Sequence, residues 1–208
     1  AYYNCFGDTH KSIEYIKQAL GIAREMGDWQ NEGLWLGNIG ILYNNLGVPS
    51  EAIEFFKQAI EIAHKIGDRQ HEGVWLGSMG GAYANLGEVH KGIENYERAL
   101  GIAREFGDKQ NEGLWLGHIG GANVNLGEVR KGIENYEQAL RIARETGDRV
   151  YEGMWLGNIG VAYSKLGEES KCIKYLELAL GNAREIGDRH SEGAWLGHIG
   201  TAYVDQDE

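Results

Sequence analysis

The chain is poor in proline and cysteine, with one proline, Pro49, and two cysteines, Cys5 and Cys172, in 208 residues. A single proline leaves long helices almost without interior breaks. Two cysteines cannot build the disulfide framework of a small secreted domain, so the expectation is a reducing, cytoplasmic setting with Cys172 as a small buried residue. No secretory leader is read at the N-terminus. Glu, Asn or His interrupts every candidate apolar span before 18 residues accumulate, so no membrane partner is expected. Basic residues are also scarce, 20 Lys and Arg against 31 Asp and Glu, for a net charge of -11. That balance argues against a nucleic-acid partner. It permits a basic peptide without demanding one, and a solvated acidic outer face is the plainer alternative.

Glycine is the reverse case, with 32 in the chain. The glycines recur at fixed places instead of forming a low-complexity tract, which excludes a flexible linker. The stretch "EGLWLGNIG" from Glu32 returns from Glu72, Glu112, Glu152 and Glu192, so the chain has a 40-residue period. Residues 67–106 and 107–146 share 29 identities in 40 positions. A period of that length indicates an array in which each repeat buries its apolar face against its neighbours.

Punctuation inside one repeat is regular. Gly27-Asp28, Gly67-Asp68, Gly107-Asp108, Gly147-Asp148 and Gly187-Asp188 each read as a helix stop followed at once by an N-cap. Glu32 and its equivalents, four residues after each Asp, put negative charge in the next helix's first turn. A second stop falls at Gly47, Gly87, Gly127 and Gly167. Each repeat is therefore two helices, A near 29–45 and B near 49–66. Helix B carries a stripe of Ile53, Phe56, Ala59, Ile60 and Ala63, with Glu54, Lys57 and Glu61 facing away. Helix A is apolar nearly all round, which predicts burial on several sides.

Helix A also contains Gly33, Gly37 and Gly40 on one side, each costing about 1 kcal/mol relative to alanine in a helix interior. Close approach of another helix is the expected compensation at Gly40. Gly37 and its equivalents are expected to widen a groove instead. A dinucleotide-binding loop is excluded, because the glycines lie inside a helix with no strand before them. Trp35, Trp75, Trp115, Trp155 and Trp195 read as a core ladder between repeats, and Trp29 as a loop or cap residue.

These residues resemble the tetratricopeptide repeat, whose pattern is W-x2-L-G-x2-Y, then A-x3-F, then P. Here the repeat reads Leu36-x2-Ile39-Gly40-x2-Tyr43, then Ala52-x3-Phe56 with Ala59 following. It departs in having Leu for the first Trp, no terminal Pro, and 40 residues instead of 34. The longer form is similar to the extended repeats of the Pins/LGN polarity adaptors and of many bacterial arrays. The resemblance implies an all-α, right-handed superhelical solenoid of antiparallel helix pairs, with a concave face formed mainly by helices A. Mapped onto this chain, it gives one array over 1–208. An orphan helix B at 9–26 leads into A-B pairs at 29–66, 69–106, 109–146 and 149–186, and an orphan helix A at 189–204 follows.

Mapped the same way, the inner positions include Asn38, Ser78, His118, Asn158 and His198, a polar row similar to the asparagine ladder lining the superhelix of O-GlcNAc transferases. Asn45, Asn85 and Asn125 form a second row that ends where Lys165 replaces Asn. Leu34, Val74, Leu114 and Met154 would add apolar contacts. Amides and imidazoles in such a row can hydrogen-bond the backbone of an extended peptide without reading its sequence; the plain alternative is that they merely tolerate solvent. No catalytic constellation is found, and no cofactor or metal is expected. His118 and His198 stand two repeats apart, too far to share an ion at about 10 Å per packed layer. The expected function is a non-catalytic scaffold for a peptide or protein ligand. The alternative is a structural segment that self-associates head to tail through its terminal helices.

Overall fold

The computed structural model describes residues 2–206, with side chains described for residues 9–204. The side chain of Cys5 therefore lies outside the described residues. Ten helices and no strands occupy the described residues: α1 (Tyr2–Met26), α2 (Trp29–Asn45), α3 (Pro49–Ile66), α4 (Arg69–Asn85), α5 (Val89–Glu105), α6 (Lys109–Asn125), α7 (Val129–Thr146), α8 (Arg149–Ser164), α9 (Glu169–Ile186) and α10 (Arg189–Gln206). The even-numbered helices from α2 are of type A and the odd-numbered ones of type B. The first helix begins at Tyr2, so the 9–26 stretch expected as a separate helix is the C-terminal part of a longer one.

The helices fall into two compact bodies, Ala1–Gly107 and Asp108–Glu208. In the first, α2 packs most extensively on α3 and α4 on α5, with α1 on α2 and α3 on α4 less extensive and a narrow α2–α4 contact. The second repeats the scheme: α6 on α7 and α8 on α9, with α7–α8 and α9–α10 between, and narrow contacts of α8 with α6 and α10.

The Gly-Asp dipeptide performs two jobs within two residues. Gly67 adopts φ +74°, its amide donates to the carbonyl of His64, and the Asp68 amide reaches back to Ala63, closing α3. The Asp68 carboxylate then accepts from the His71 amide at the start of α4. Asp28, Asp108, Asp148 and Asp188 cap α2, α6, α8 and α10 in the same way. Hydrogen bonds from the Asn31 side chain and backbone hold the Asp28 carboxyl below its ordinary pKa.

The glycines of α2 meet specific neighbours. A Cβ at Gly40 would stand 2.8 Å from the Phe56 ring of the same repeat, and one at Gly33 would stand 3.1 Å from Ile62. At Gly80 and Gly120 the approach is tighter still, because the facing B-helix residues are Gly92 and Gly132 and the two backbones touch. This is the close approach expected at Gly40. Gly37 behaves differently from expectation. A Cβ there would lie 2.5 Å from the Trp75 indole of the next repeat, and Gly117 and Gly157 meet Trp155 and Trp195 in the same manner. These glycines do not widen a groove. They form the slots that let each indole lie flat on the preceding helix A. Trp75, Trp115 and Trp155 are buried, as a core ladder requires.

One slot is filled poorly. Where Ile62, Ile102 and Ile142 cover the first glycine of their repeats, Asn182 covers Gly153, buried and with no hydrogen-bond partner for either amide atom. An unsatisfied buried amide costs about 1–3 kcal/mol. Asn182→Ile is therefore expected to stabilise the chain by about 1–2 kcal/mol in denaturant unfolding, recovering most of that cost. An unchanged or lowered midpoint would show that the amide is satisfied in solution.

Candidate functional site

Helix A packs in two directions and leaves a third accessible. On α2, Gly33, Leu36 and Gly40 are buried toward α3, and Gly37 faces α4 through Trp75. Leu34, Asn38, Ile41 and Asn45, spaced at helical intervals, form the remaining stripe, which is half-buried along most of its length and exposed at Asn45. The same stripe on α4 is Val74, Ser78, Gly81 and Asn85. In the second body α6 presents Leu114, His118, Gly121 and Asn125, and α8 presents Met154, Asn158 and Val161.

The sequence-derived candidates therefore lie on one accessible stripe within each body. Asn38, Ser78 and Asn158 are half-buried, and His118 and His198 are exposed on one side. The apolar candidates Leu34, Val74, Leu114 and Met154 are all half-buried. His118 and His198 lean on the indoles of Trp115 and Trp195, with ring centroids 5.9 and 6.0 Å apart. Desolvation by the surrounding protein lowers the His118 pKa. Asn45 and Asn125 are exposed, whereas Asn85 donates to the Asn44 side chain at 3.0 Å and clasps α2 to α4.

Beside Leu34 a crevice of about 430 Å³ opens between α2, α3 and α4, lined by Gln30, Asn31, Leu34, Ile62, His71 and Trp75 among others. Its counterpart beside Leu114 holds about 220 Å³. There Tyr151, stacked on Trp155 at 5.6 Å, occupies the place of the smaller His71.

Several pairings escaped sequence reasoning. The first-turn glutamate is a buried clamp between helices, not simply a charge near a helix dipole. Glu152 accepts from Arg144 of α7 at 2.9 Å and from Arg149 of its own helix, and Glu192 is held likewise by Arg184 and Arg189. Arg69 binds Glu72 at 2.8 Å and Glu105 at 3.3 Å. Trp29 is not a loop or cap residue. It is the first residue of α2, and the Lys65 ammonium stands 3.6 Å from its ring centre. Trp29 and Lys65 occupy the positions of Arg69 and Glu105, so a cation–π contact replaces an ion pair. The signal was present in the sequence, since both members change together in one repeat.

The B-helix aromatic is matched in the same way. Tyr96 and Tyr136 oppose Gly81 and Gly121, whose added Cβ atoms would meet the hydroxyls at 3.4 and 3.1 Å. Phe56 and Leu176 carry no hydroxyl, and their repeats place Ile41 and Val161 there. Burial pushes both tyrosine pKa values up to about 12.

Among the described residues, no group of three or more His, Cys, Asp or Glu is placed to hold a metal ion, and no helix is long and apolar enough to cross a membrane. Comparison with curated proteins returns no match. Solved structures do match. BtubC from P. vanneervenii superposes with a TM-score of 0.83 at 16% identity, covering 96% of this chain and 84% of that one. A signal transduction ATPase with a tetratricopeptide repeat sensor from Pyrococcus horikoshii gives 0.84 at 22% identity, with 94% of this chain and 30% of that chain covered. The apo quorum sensor NprR from B. thuringiensis gives 0.75 at 17%, covering 100% of this chain and 59% of that chain. This chain thus spans less than two thirds of the latter two. Family models described as tetratricopeptide repeat match residues 1–65 and 113–185, and a second such model matches 76–106. With these matches laid over paired helices whose glycine, alanine and aromatic positions interlock as described, the chain belongs to the tetratricopeptide repeat family.

Proposed function

We propose that the chain is a non-catalytic scaffold, acting in a reducing cytoplasmic setting, that holds a peptide or protein segment along the accessible stripes of its A helices. The observation that carries this reading is the polar row Asn38, Ser78, His118, Asn158 and His198, set into largely apolar helices at half-buried or exposed positions. Amides and imidazoles there offer hydrogen-bonding groups to a passing backbone. Two of the solved relatives are described as a sensor or as containing one, which suits a repeat surface that recognises a ligand and leaves chemistry to other parts.

The test is the triple variant Asn38→Ala, His118→Ala and Asn158→Ala, compared with wild type in pull-downs from a lysate. Each lost hydrogen bond weakens binding by about 0.5–1.5 kcal/mol, so the triple variant is expected to bind roughly ten- to a thousandfold more weakly with unchanged thermal unfolding. A captured partner indifferent to all three changes would sink the reading.

A further inference from the structure

We propose that the segment held on these stripes is uncharged, recognised through its backbone and through aliphatic, amide or hydroxyl side chains. This inference rests on the scaffold reading above and names the chemistry of its ligand.

The argument begins with where charge is missing. Beyond their first turns, α2, α4, α6 and α8 contain no Asp, Glu, Lys or Arg at all. The charges inside the first turns are committed to one another and to B helices: Glu32 to Arg24, Arg69 to Glu72 and Glu105, Lys109 to Glu112, Arg149 to Glu152 and Glu185. In the first body the stripe offers only aliphatic, amide, hydroxyl and bare glycine positions. In the second, His118 joins the same set, and the first Asp, Glu, Lys or Arg encountered is Lys165, just past the end of α8.

The net charge of -11 does not point the other way, because the acidic side chains lie off the stripes. Eight of the 31 Asp and Glu are the five N-cap aspartates and the turn residues Glu88, Glu128 and Glu168. Each stands at a helix N-terminus, where free N–H groups and the helix dipole favour an anion whether or not a ligand exists. Glu128 and Glu168 are further engaged by Lys131 at 3.2 Å and Lys171 at 2.6 Å.

A charged side chain laid against such a wall sheds hydration and meets no opposite charge, which costs binding energy. An aliphatic group set beside Leu34, Val74, Leu114 or Met154 loses nothing of that kind and removes apolar area from water.

The experiment is a selection of random peptides displayed on phage against the full 208-residue chain, repeated with the Asn38, His118 and Asn158 triple alanine variant as a counter-screen. Binders that depend on the ladder are then titrated at about 0.1 and about 1 M NaCl, which shortens the screening length from about 10 to about 3 Å. Expected is a set of ladder-dependent peptides without charged residues in the shared motif, whose affinity changes less than about twofold between the two salts. Ladder-dependent peptides rich in Lys and Arg, or in Asp and Glu, that weaken tenfold or more in high salt would overturn the inference and leave the scaffold reading standing. A selection that yields no ladder-dependent binder would overturn both.

Discussion

Trp155→Ala is expected to remove about 3–5 kcal/mol of stability, the usual cost of emptying a fully packed Trp site. The indole is only 3% exposed. It lies across Gly117 of α6, stacks on Tyr136 of α7 at 5.9 Å and lies under Tyr151 of its own helix at 5.6 Å. Three helices therefore lose contacts at once, and the slot left behind is lined by a glycine that cannot expand to fill it. The loss should appear in denaturant unfolding as a lower midpoint. Its local character should appear in amide exchange as faster opening of α6, α7 and α8. A loss below about 1 kcal/mol would show that the indole is not a packed element of the core.

The second large effect comes from adding a single carbon. Gly117→Ala places a Cβ 2.1 Å from the Trp155 ring, closer than any real contact permits. Overpacking usually costs about 1–3 kcal/mol. Here the obstacle is a rigid aromatic wedged by two neighbours, so the upper end applies, offset by the roughly 1 kcal/mol that alanine gains over glycine in a helix. The net expectation is a loss of about 2 kcal/mol. The same substitution at Gly101, where nothing lies within 4 Å, should instead stabilise by about 1 kcal/mol, because only the helix preference remains. Opposite signs for one chemical change are the signature of the slot. Combining Gly117→Ala with Trp155→Ala should cost less than the two losses added, since the alanine then enters space the indole has vacated. Additive losses would mean that the two residues do not meet.

Much of this was legible in the sequence. The Gly-Asp dipeptides marked turns because only glycine takes the left-handed position cheaply and only a short acceptor such as Asp reaches the new helix's amides. The apolar, alanine and aromatic positions of Ala52, Phe56 and Ala59 located the B-helix face because that face has a 3.6-residue period. What one strand of text could not supply was direction across space. Gly37 was read as opening a groove because spacing says which side of a helix is bare and nothing about what fills it. The filler, Trp75, is 38 residues away. Glu152 looked like a helix-dipole charge because its partner Arg144 sits on another helix. The Trp29–Lys65 exchange could have been found by comparing repeats, but only by reading two positions 36 residues apart as one pair. The candidate stripe was legible as a row of polar residues in an apolar helix. Its partial exposure was not, since helix A is apolar on nearly every side.

The glycine slots bear on how such a chain can change length. Every repeat has a glycine at the place of Gly37 and an indole at the place of Trp35, and within each body the two meet between repeats, Gly37 with Trp75, Gly117 with Trp155 and Gly157 with Trp195. The residues that differ, such as Gly81 with Tyr96 against Ile41 with Phe56, are matched inside a repeat. Duplication or deletion of a whole 40-residue segment cut at Gly-Asp would rejoin like to like and disturb no matched pair. A crossover in the middle of a repeat would separate partners that fit only each other. Lengthening by complete copies is thus the route this architecture tolerates, and side-chain novelty can accumulate within a copy without altering how it couples to the next.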